Sequence, residues 1–212
     1  MKIGLITENS QCTKNNIIYE SLKNAVDYEI INFGMLENDN ELTYVQAGLL
    51  SAILLNSKCV DFIVTGCGTG IGAMMSLNSY PNVTCGLAEN DLDAYLFNRI
   101  NAGNAISIPY AKNFGWGSEL NLVNIFEKLF SEGFGSGYPK ERYVSESKNR
   151  KLLNDIKNVT HKSMMDILTS IDQEFLFNTI NRKQFIDYFF EHSKDKKMTE
   201  YLKKVLNTKK SA

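Results

Sequence analysis

A cysteine lies at the centre of a glycine-rich segment, TGCGTGIG at residues 65–72. An apolar run at residues 60–64 precedes it, and residues 73–78 have the composition of a helix start. The four glycines Gly66, Gly68, Gly70 and Gly72 let the backbone turn tightly and approach a ligand. Backbone amides at a helix start favour a bound anion or a thiolate. The segment therefore predicts a cradle for an anion or an enediolate beside a reactive Cys67.

The other residue types of the chain narrow the chemistry of Cys67. A covalent cysteine hydrolase normally pairs its thiol with histidine, but the two histidines, His161 and His192, both lie in the C-terminal region. The loop also lacks the Lys-Ser/Thr ending of a P-loop and does not fit GxGxxG. Proton abstraction from carbon by Cys67 fits better, with loop amides holding the oxyanion. Thr69 is placed to move a proton between oxygens.

Short apolar runs that alternate with helix-period segments must position this loop. Strands are predicted at residues 3–7, 28–33, 60–65, 83–87 and 105–108, and helices at 14–26, 42–55, 91–100 and 119–130. This βα alternation predicts an α/β fold, a five-stranded parallel Rossmann-like sandwich of three layers. Ligands of such sheets bind at the carboxyl ends of the strands. Glu8-Asn9, the Cys67 loop and Glu89-Asn90 are expected to meet there.

A turn-rich break at residues 133–139 separates this region from four further predicted helices, at 152–159, 164–177, 183–190 and 199–206. We therefore divide the chain into an α/β domain, residues 1–145, and a helical C-terminal extension, residues 146–212. Apolar residues at helical spacing in the extension indicate core packing or a subunit interface; they are Met164, Ile167, Leu168, Ile171 and Phe175. Our hypothesis is that the extension packs on a neighbouring subunit and helps close the site.

Composition excludes several classes of partner. The chain has 212 residues, 43% of them hydrophobic, and a formal net charge of -1. Residues 1–145 carry 9 basic against 15 acidic side chains and residues 146–212 carry 14 against 9, with the charges interleaved. We expect no nucleic-acid or membrane partner. The four cysteines lack zinc-like spacing and no apolar stretch reaches the roughly 18 residues of a membrane span, so a cytoplasmic protein is expected.

The run Cys67-Gly68-Thr69-Gly70-Ile71-Gly72, with Asn78 further along its helix, resembles the signature of ribose-5-phosphate isomerase type B and galactose-6-phosphate isomerase. The resemblance covers about residues 1–145. It implies an aldose–ketose isomerase that forms a cis-enediolate without metal or cofactor, in a homodimer or homotetramer whose sites lie between subunits. It also implies that Cys67 removes the carbon-bound proton and that Thr69 assists with oxygen protons. The loop glycines, together with Asn101, would bind the enediolate oxygens.

Two departures from the family pattern concern the sugar ring. Glu8-Asn9 stands where the family usually has Asp-His, and both residues are expected to bind substrate. Ile100 replaces a histidine that the family associates with ring opening. A substrate that is already open-chain would not need that histidine.

Two further departures concern the residues that would bind the anionic group of the substrate. Tyr138 replaces the first of two phosphate-binding arginines, while Arg142 keeps the second. A further basic position falls on Ala111, with Lys112 beside it. One arginine can hold a carboxylate bidentately, whereas a phosphate dianion usually recruits more donors. With its long extension the chain resembles the 4-deoxy-L-threo-5-hexosulose-uronate ketol-isomerases, which act on an acyclic keto-uronate.

Three alternatives remain open at this stage. The first is the family's ordinary substrate, a pentose or hexose phosphate held by Arg142 and Lys112. The second is a non-catalytic sugar-binding protein that keeps the loop. The third, a flavodoxin-like binding module, is disfavoured because no aromatic-flanked flavin loop is evident. Outside the loop, Asn90 is interpreted as a helix N-cap, and Trp116 as a buried ring that anchors its own loop.

Overall fold

The computed structural model describes residues 1–131 and 133–210. The strands are β1 Lys2–Thr7, β2 Glu29–Asn32, β3 Phe62–Cys67, β4 Cys85–Leu87 and β5 Ala105–Pro109. The helices of the first part are α1 Asn15–Ala25, α2 Tyr44–Asn56, α3 Ile71–Asn78, α4 Asp91–Leu96 and α5 Ser118–Leu129. Those that follow are α6 Tyr143–Thr160, α7 Met164–Ser170, α8 Gln173–Ile180, α9 Lys183–His192 and α10 Lys196–Lys210. Short 3₁₀ turns occupy Asn9–Lys14 and Lys140–Arg142, and a π-helical turn occupies Phe97–Asn101.

The five strands form one parallel sheet in the order β2-β1-β3-β5-β4, which confirms the predicted fold class. The strand order reverses between β1 and β3, so the loops that follow these strands diverge and leave a crevice. Thr7 of β1 lies opposite Gly66 of β3, and Cys67 lies opposite Pro109 of β5. The segments that follow β1, β3 and β5 therefore meet at one edge of the sheet.

Side chains of the central strands alternate between two cores, as the pleat of a strand requires. Phe62 and Val64 face a core shared with α1, α4 and α5, whereas Ile63 faces a core on the α2 side. The second core also contains apolar residues of the extension, which lie against α2 of the same chain; among them are Leu168, Leu176, Ile180, Phe185, Phe189 and Leu202. The apolar stripe of the extension is therefore part of the core of its own chain, and the hypothesis that the extension also packs on a neighbouring subunit stays a prediction.

The prediction of a single helix at residues 164–177 is wrong, because this part of the chain forms two helices, α7 and α8. Ile171 adopts an extended conformation, and the side chain of Asp172 accepts a hydrogen bond from the Phe175 amide at 2.7 Å. An aspartate that caps a new helix start satisfies an amide that would otherwise lack a partner. The apolar stripe alone could not reveal this break, since both helices bury the same face.

Helix α6 runs without interruption through the proposed boundary between residues 145 and 146 and is longer than predicted. The division into residues 1–145 and 146–212 stays a proposal, and residues 211 and 212 lie outside the described part of the chain. Several apolar side chains of α6 are exposed, including Val144, Leu152, Ile156 and Val159. No helix within the described residues is both long and apolar enough to cross a membrane.

Trp116 does not anchor its loop through a buried ring. Its side chain is 107% exposed, so it makes little contact with the rest of the chain. The adjacent Gly117 has a φ of 81°, a left-handed conformation that glycine adopts without strain. This glycine, rather than burial of the indole, shapes the turn that starts α5.

Candidate active site

Cys67 is the last residue of β3 and lies directly before the glycine turn. Cys67 is 8% exposed, so its thiol is largely enclosed by the surrounding residues. The Sγ atom lies 3.9 Å from Oγ1 of Thr69, and this hydroxyl accepts a hydrogen bond from the Ile71 amide at 3.3 Å. The glycine turn thus holds a thiol and a hydroxyl within 4 Å of each other.

Two of the four loop glycines are required by the fold itself. A Cβ on Gly66 would lie 2.1 Å from the carbonyl oxygen of Ile108 on β5. Gly70 has a φ of 72°, and a Cβ there would lie 2.5 Å from Leu87. The Gly70 carbonyl also accepts a hydrogen bond from Ser107 Oγ at 2.6 Å. Gly66 and Gly70 therefore pack the turn against the neighbouring strands.

Gly68 and Gly72 have a different environment. A Cβ on Gly68 would meet only Ala111 and Gln11, at 3.6 and 3.7 Å, which are ordinary contact distances. A Cβ on Gly72 would meet the Tyr44 ring at 3.3 Å. The fold could accommodate a side chain at Gly68, so the open backbone there leaves room for another molecule to approach the amide.

This contrast predicts different outcomes for two otherwise matched substitutions. Gly66→Ala should lower the free energy of unfolding by about 3 kcal/mol, because its methyl group would collide with backbone. Gly68→Ala should change stability by less than about 1 kcal/mol, yet lower kcat/KM at least about tenfold by filling the approach to Cys67. Thermal unfolding and steady-state assays of both variants check this. Full activity of a stable Gly68→Ala variant would show that substrate does not pass this glycine.

Glu8 and Asn9 follow β1, next to the Cys67 loop, as predicted. Glu8 is 3% exposed and caps the 3₁₀ turn, accepting hydrogen bonds from the Ser10 amide at 3.0 Å and from Ser10 Oγ at 2.5 Å. Asn9 donates its amide to the carbonyl of Leu42 and its Nδ2 to Glu41 Oε1, both at 2.7 Å. Both residues are therefore held by the fold rather than lying on a loose surface loop.

Gln11 and Lys14 belong to the same site but were not predicted. The Nε2 of Gln11 donates to Ser10 Oγ at 2.9 Å, and its Oε1 accepts from Lys14 Nζ at 2.8 Å, which orients the amide beside Gly68. Lys14 Nζ also donates to the Tyr110 carbonyl at 2.5 Å, and burial lowers the pKa of this lysine. Their spacing after β1 on the 3₁₀ turn is the only sequence signal that could have indicated them.

Charge at this edge of the sheet is mostly compensated. Lys112 Nζ lies 2.7 Å from Glu89 Oε1 in an ion pair that is about two-fifths exposed. The loop after β5 is tied to the Cys67 loop, because the Tyr110 amide donates to the Cys67 carbonyl and the Ala111 amide to the Gly68 carbonyl, both at 3.0 Å. Lys112 therefore stands beside the glycine turn at a defined position.

The ring of Tyr110 forms an apolar wall behind the loop. Its side chain is 1% exposed, and its ring lies where a side chain on Gly66 would stand. Among the described residues its hydroxyl finds no hydrogen-bond partner, and burial raises the pKa of this phenol. Tyr110 thus remains neutral and contributes bulk rather than charge.

The other predicted binding residues lie apart from Cys67. We call Asn101, Tyr138 and Arg142 the second group. Asn101 ends the π-helical turn after α4 and borders a cavity of about 360 Å³ with Asn104 and Arg150. Segment 135–138 packs on that turn, since the Gly135 and Gly137 amides donate to the carbonyls of residues 98 and 99. The Tyr138 ring lies 5.8 Å from the Tyr95 ring.

Arg142 points its side chain largely to solvent in this second group. The guanidinium is 68% exposed and lies 3.8 Å from Glu146 Oε1, one turn along α6. Glu146 itself is buried and also accepts a hydrogen bond from the Tyr138 amide at 3.2 Å. Because the guanidinium is mostly in solvent, a ligand anion could reach it.

One chain does not bring the two groups together. Helix α4 starts at the carboxyl edge of the sheet and returns to the amino edge, where the Asn104 carbonyl accepts from the Ile63 amide at the start of β3. Cys67 lies at the opposite end of β3, about 13 Å from Ile63 at roughly 3.3 Å per residue. Asn101 therefore cannot contact a substrate bound at Cys67 of the same chain.

Two other residues singled out from the sequence have structural roles. The side chain of Asn78 donates to the Cys85 carbonyl at 2.8 Å and accepts from the Cys85 amide at 3.0 Å, which ties α3 to β4. Asn90 caps α4 as predicted, accepting from the Asp93 amide at 2.9 Å. The side chain of Asn78 thus has a structural role, because it joins α3 to the sheet.

Two family models match this chain, and together they cover most of its length. A family model described as Ribose/Galactose Isomerase matches residues 3–143, and one described as Ribose-5-phosphate isomerase matches residues 159–205. The search of curated proteins returned no match.

Among solved structures, a 4-deoxy-L-threo-5-hexosulose-uronate ketol-isomerase complexed with a tartrate is 52% identical, with a TM-score of 0.96 over 98% of this chain and 100% of that chain. A ribose-5-phosphate isomerase from Vibrio parahaemolyticus is 46% identical, with a TM-score of 0.94 over 97% and 99%. A ribose-5-phosphate isomerase B from Clostridium thermocellum shares the fold, at 21% identity and a TM-score of 0.63 over 76% and 99%. The chain therefore belongs to the ribose/galactose isomerase family and is a sugar isomerase.

Proposed function

We propose that this isomerase converts an acyclic keto-uronate, 4-deoxy-L-threo-5-hexosulose uronate, to its ketose isomer. The observation that carries the proposal is the 52% identity to a ketol-isomerase of that substrate, which extends over nearly the whole of both chains and includes the C-terminal extension. The free thiols of the chain favour a reducing compartment, and we place the reaction in the cytoplasm.

In the proposed reaction Cys67, as a thiolate, removes the proton from C2 of the aldehyde. The electron pair moves into a C1–C2 double bond, and the resulting enediolate is held by the amides around Gly68 and Gly72. The Cys67 thiol then returns the proton to C1, while the Thr69 hydroxyl passes the proton of the C2 hydroxyl to O1. Atoms and electrons balance within the substrate, so the aldehyde becomes an alcohol and C2 becomes a ketone.

A carboxylate suits the cationic groups better than a phosphate does. The guanidinium of Arg142 can form the two parallel hydrogen bonds that a carboxylate accepts. Tyr138 offers one neutral hydroxyl where the family has a second arginine. The 52% identical ketol-isomerase was crystallised with tartrate, a hydroxylated dicarboxylate, and this supports a sugar acid as ligand. An acyclic uronate also explains the absence of a ring-opening histidine at Ile100.

The proposal requires a second copy of the chain, in a homodimer or as part of a homotetramer. Glu8, Asn9 and Cys67 of one subunit would meet Asn101 and Arg142 of the other. In a two-fold dimer each site would receive the same contribution from its partner. The separation of the two groups within one chain supports this arrangement.

Exposed apolar side chains lie near both groups and fit this interface. Near the Cys67 loop they are Tyr44, Val45, Ile71 and Met75, between 40% and 63% exposed. Near the second group they lie on α6 and include Val144, Leu152 and Val159, between 57% and 86% exposed. Burial of these surfaces by a second copy would remove apolar area from water and stabilise the dimer.

A pentose or hexose phosphate is the second candidate substrate. It is favoured by the 46% identical ribose-5-phosphate isomerase, which also matches this chain over nearly its full length. Lys112 beside the glycine turn and Arg142 of a partner subunit would then hold the phosphate. In that case phosphate would compete with the Glu89 carboxylate for Lys112, in an ion pair that is about two-fifths exposed.

An assay of the deoxy-keto-uronate, ribose 5-phosphate and galactose 6-phosphate under one set of conditions tests the proposal. We expect kcat/KM for the uronate to exceed that for either sugar phosphate by at least about 10³-fold. The site lacks the second arginine that would bind a phosphate group, and the ring of a sugar phosphate must open before the reaction. Turnover of a phosphate without turnover of the uronate would overturn the substrate assignment. Binding without turnover of any of the three would favour a non-catalytic sugar-binding protein.

A further inference from the structure

We propose that Arg182, in the C-terminal extension, is a positioning residue that holds Asn9 in place through the loop at residues 36–42. The inference rests on the proposed function, because it assigns Asn9 to the substrate. Arg182 lies between α8 and α9, outside the region in which the loop signature lies. Its effect on the reaction would be transmitted through the backbone of one intervening loop.

The first link is a guanidinium clamp on two consecutive peptide carbonyls. Arg182 Nη2 donates to the carbonyl of Asn40 at 2.9 Å, and Nη1 donates to the carbonyl of Glu41 at 3.1 Å. The arginine is 6% exposed, and burial lowers its pKa while nearby Asp39 opposes that change. Hydrogen bonds from a charged donor are about twice as strong as neutral ones. The clamp therefore fixes the end of the loop against the extension.

The second link joins the same stretch of loop to Asn9. The Glu41 carboxylate accepts from Asn9 Nδ2, and the carbonyl of the next residue, Leu42, accepts from the Asn9 amide, each at 2.7 Å. Leu42 is fully buried, and α2 begins at Tyr44 behind a capping box on Thr43. Between the clamp and α2 the loop has little freedom, so its two hydrogen bonds hold Asn9 in a defined position.

The extension thus has a role beyond filling the core against α2. Its helices α8 and α9 are rigid enough to carry the guanidinium, because both bury apolar residues in the α2-side core. Without the clamp two carbonyls would lose charged donors, and the loop could shift by the fraction of an ångström that matters for substrate position. The geometry points to a link between the extension and substrate binding.

A double-mutant cycle between Arg182 and Asn9 tests the link. We expect Arg182→Met to raise KM about five- to tenfold with kcat within about twofold, the pattern of lost substrate binding. Asn9→Ala should raise KM to a similar degree, and the double variant should be no worse than Asn9→Ala alone. Arg182→Lys should recover part of the loss, since an ammonium can still reach one carbonyl. Lys183→Ala, which removes only an exposed ion pair with Asp187, serves as the control.

A second measurement does not depend on activity. Hydrogen exchange at the Asn9 amide should become faster in Arg182→Met, because its acceptor on Leu42 loosens, while exchange within α2 stays unchanged. The proposal would be overturned if the KM of the double variant rose by the product of the two single effects. It would also be overturned if hydrogen exchange at the Asn9 amide were unchanged in Arg182→Met. If no sugar of the panel is turned over, the proposed function fails, but the exchange experiment still decides whether Arg182 holds Asn9.

Discussion

Replacement of Cys67 by alanine is expected to lower kcat about 10³-fold on the substrate that the wild type turns over, because proton transfer at carbon then lacks its base. Since Cys67 ends a buried strand and alanine is smaller, the free energy of unfolding should fall by no more than about 1–2 kcal/mol. The loss would therefore be chemical rather than structural. Steady-state kinetics together with thermal unfolding measure both quantities.

Isotope exchange sharpens this test. In deuterated water the wild-type enzyme should exchange the C2 hydrogen of the substrate with solvent, and Cys67→Ala should lose exchange and turnover together. Cys59→Ala is the matched control, because this thiol is also buried but lies at the amino end of the sheet, near Phe189. It should keep activity within about twofold. A Cys67→Ala variant with activity within tenfold of wild type would remove the cysteine from the mechanism.

Mixing of two inactive variants is expected to restore activity. Cys67→Ala removes the base from one group and Asn101→Ala removes an enediolate ligand from the other. If each site combines the two groups from different subunits, a mixed dimer has one intact site and one doubly altered site. Random exchange of equal amounts makes half of the dimers mixed, so activity should recover to about a quarter of the wild-type value. Co-refolding of the two variants, followed by assay against each alone, measures this.

The controls for this experiment separate subunit exchange from trivial recovery. The single variant Cys67→Ala is mixed with a double variant that carries Cys67→Ala and Thr69→Val. This mixture should stay inactive, because every site in it lacks the base. Isolation of mixed dimers through two different affinity tags should yield about half of the wild-type activity per dimer. If the isolated mixed dimers gain no activity, the Cys67 group of one subunit and the Asn101 group of the other do not form one site. This result would contradict the two-subunit arrangement.

The local pattern of the chain was sufficient to predict the fold of its first part and the position of the glycine turn in it. Apolar residues that recur every 2 or every 3.6 residues mark the buried faces of strands and helices. The five strands and the helices between them therefore follow from the sequence. The glycines around Cys67 were informative because Gly66 and Gly70 permit a turn that a side chain would block. Glu8 was placed beside that loop because β1 and β3 are parallel neighbours.

Only the tertiary structure determined which distant segments meet. Gln11 and Lys14 lie beside Gly68 because the 3₁₀ turn after β1 folds towards the Cys67 loop, a direction that no periodicity encodes. Arg182 reaches residues 40 and 41 because the extension packs on α2 of its own chain. An apolar stripe shows that a helix face is buried, but the surface that buries it depends on the shape of every other element.

The sequence by itself thus determined the sheet and the glycine turn that carries Cys67, because these follow from local spacing and backbone freedom. The tertiary structure alone decided that Asn101 stands at the other end of the sheet from Cys67. A family motif names residues without saying which subunit supplies them. The physical reason is the return of α4 to the amino edge, which separates the two groups within one chain by the length of a strand.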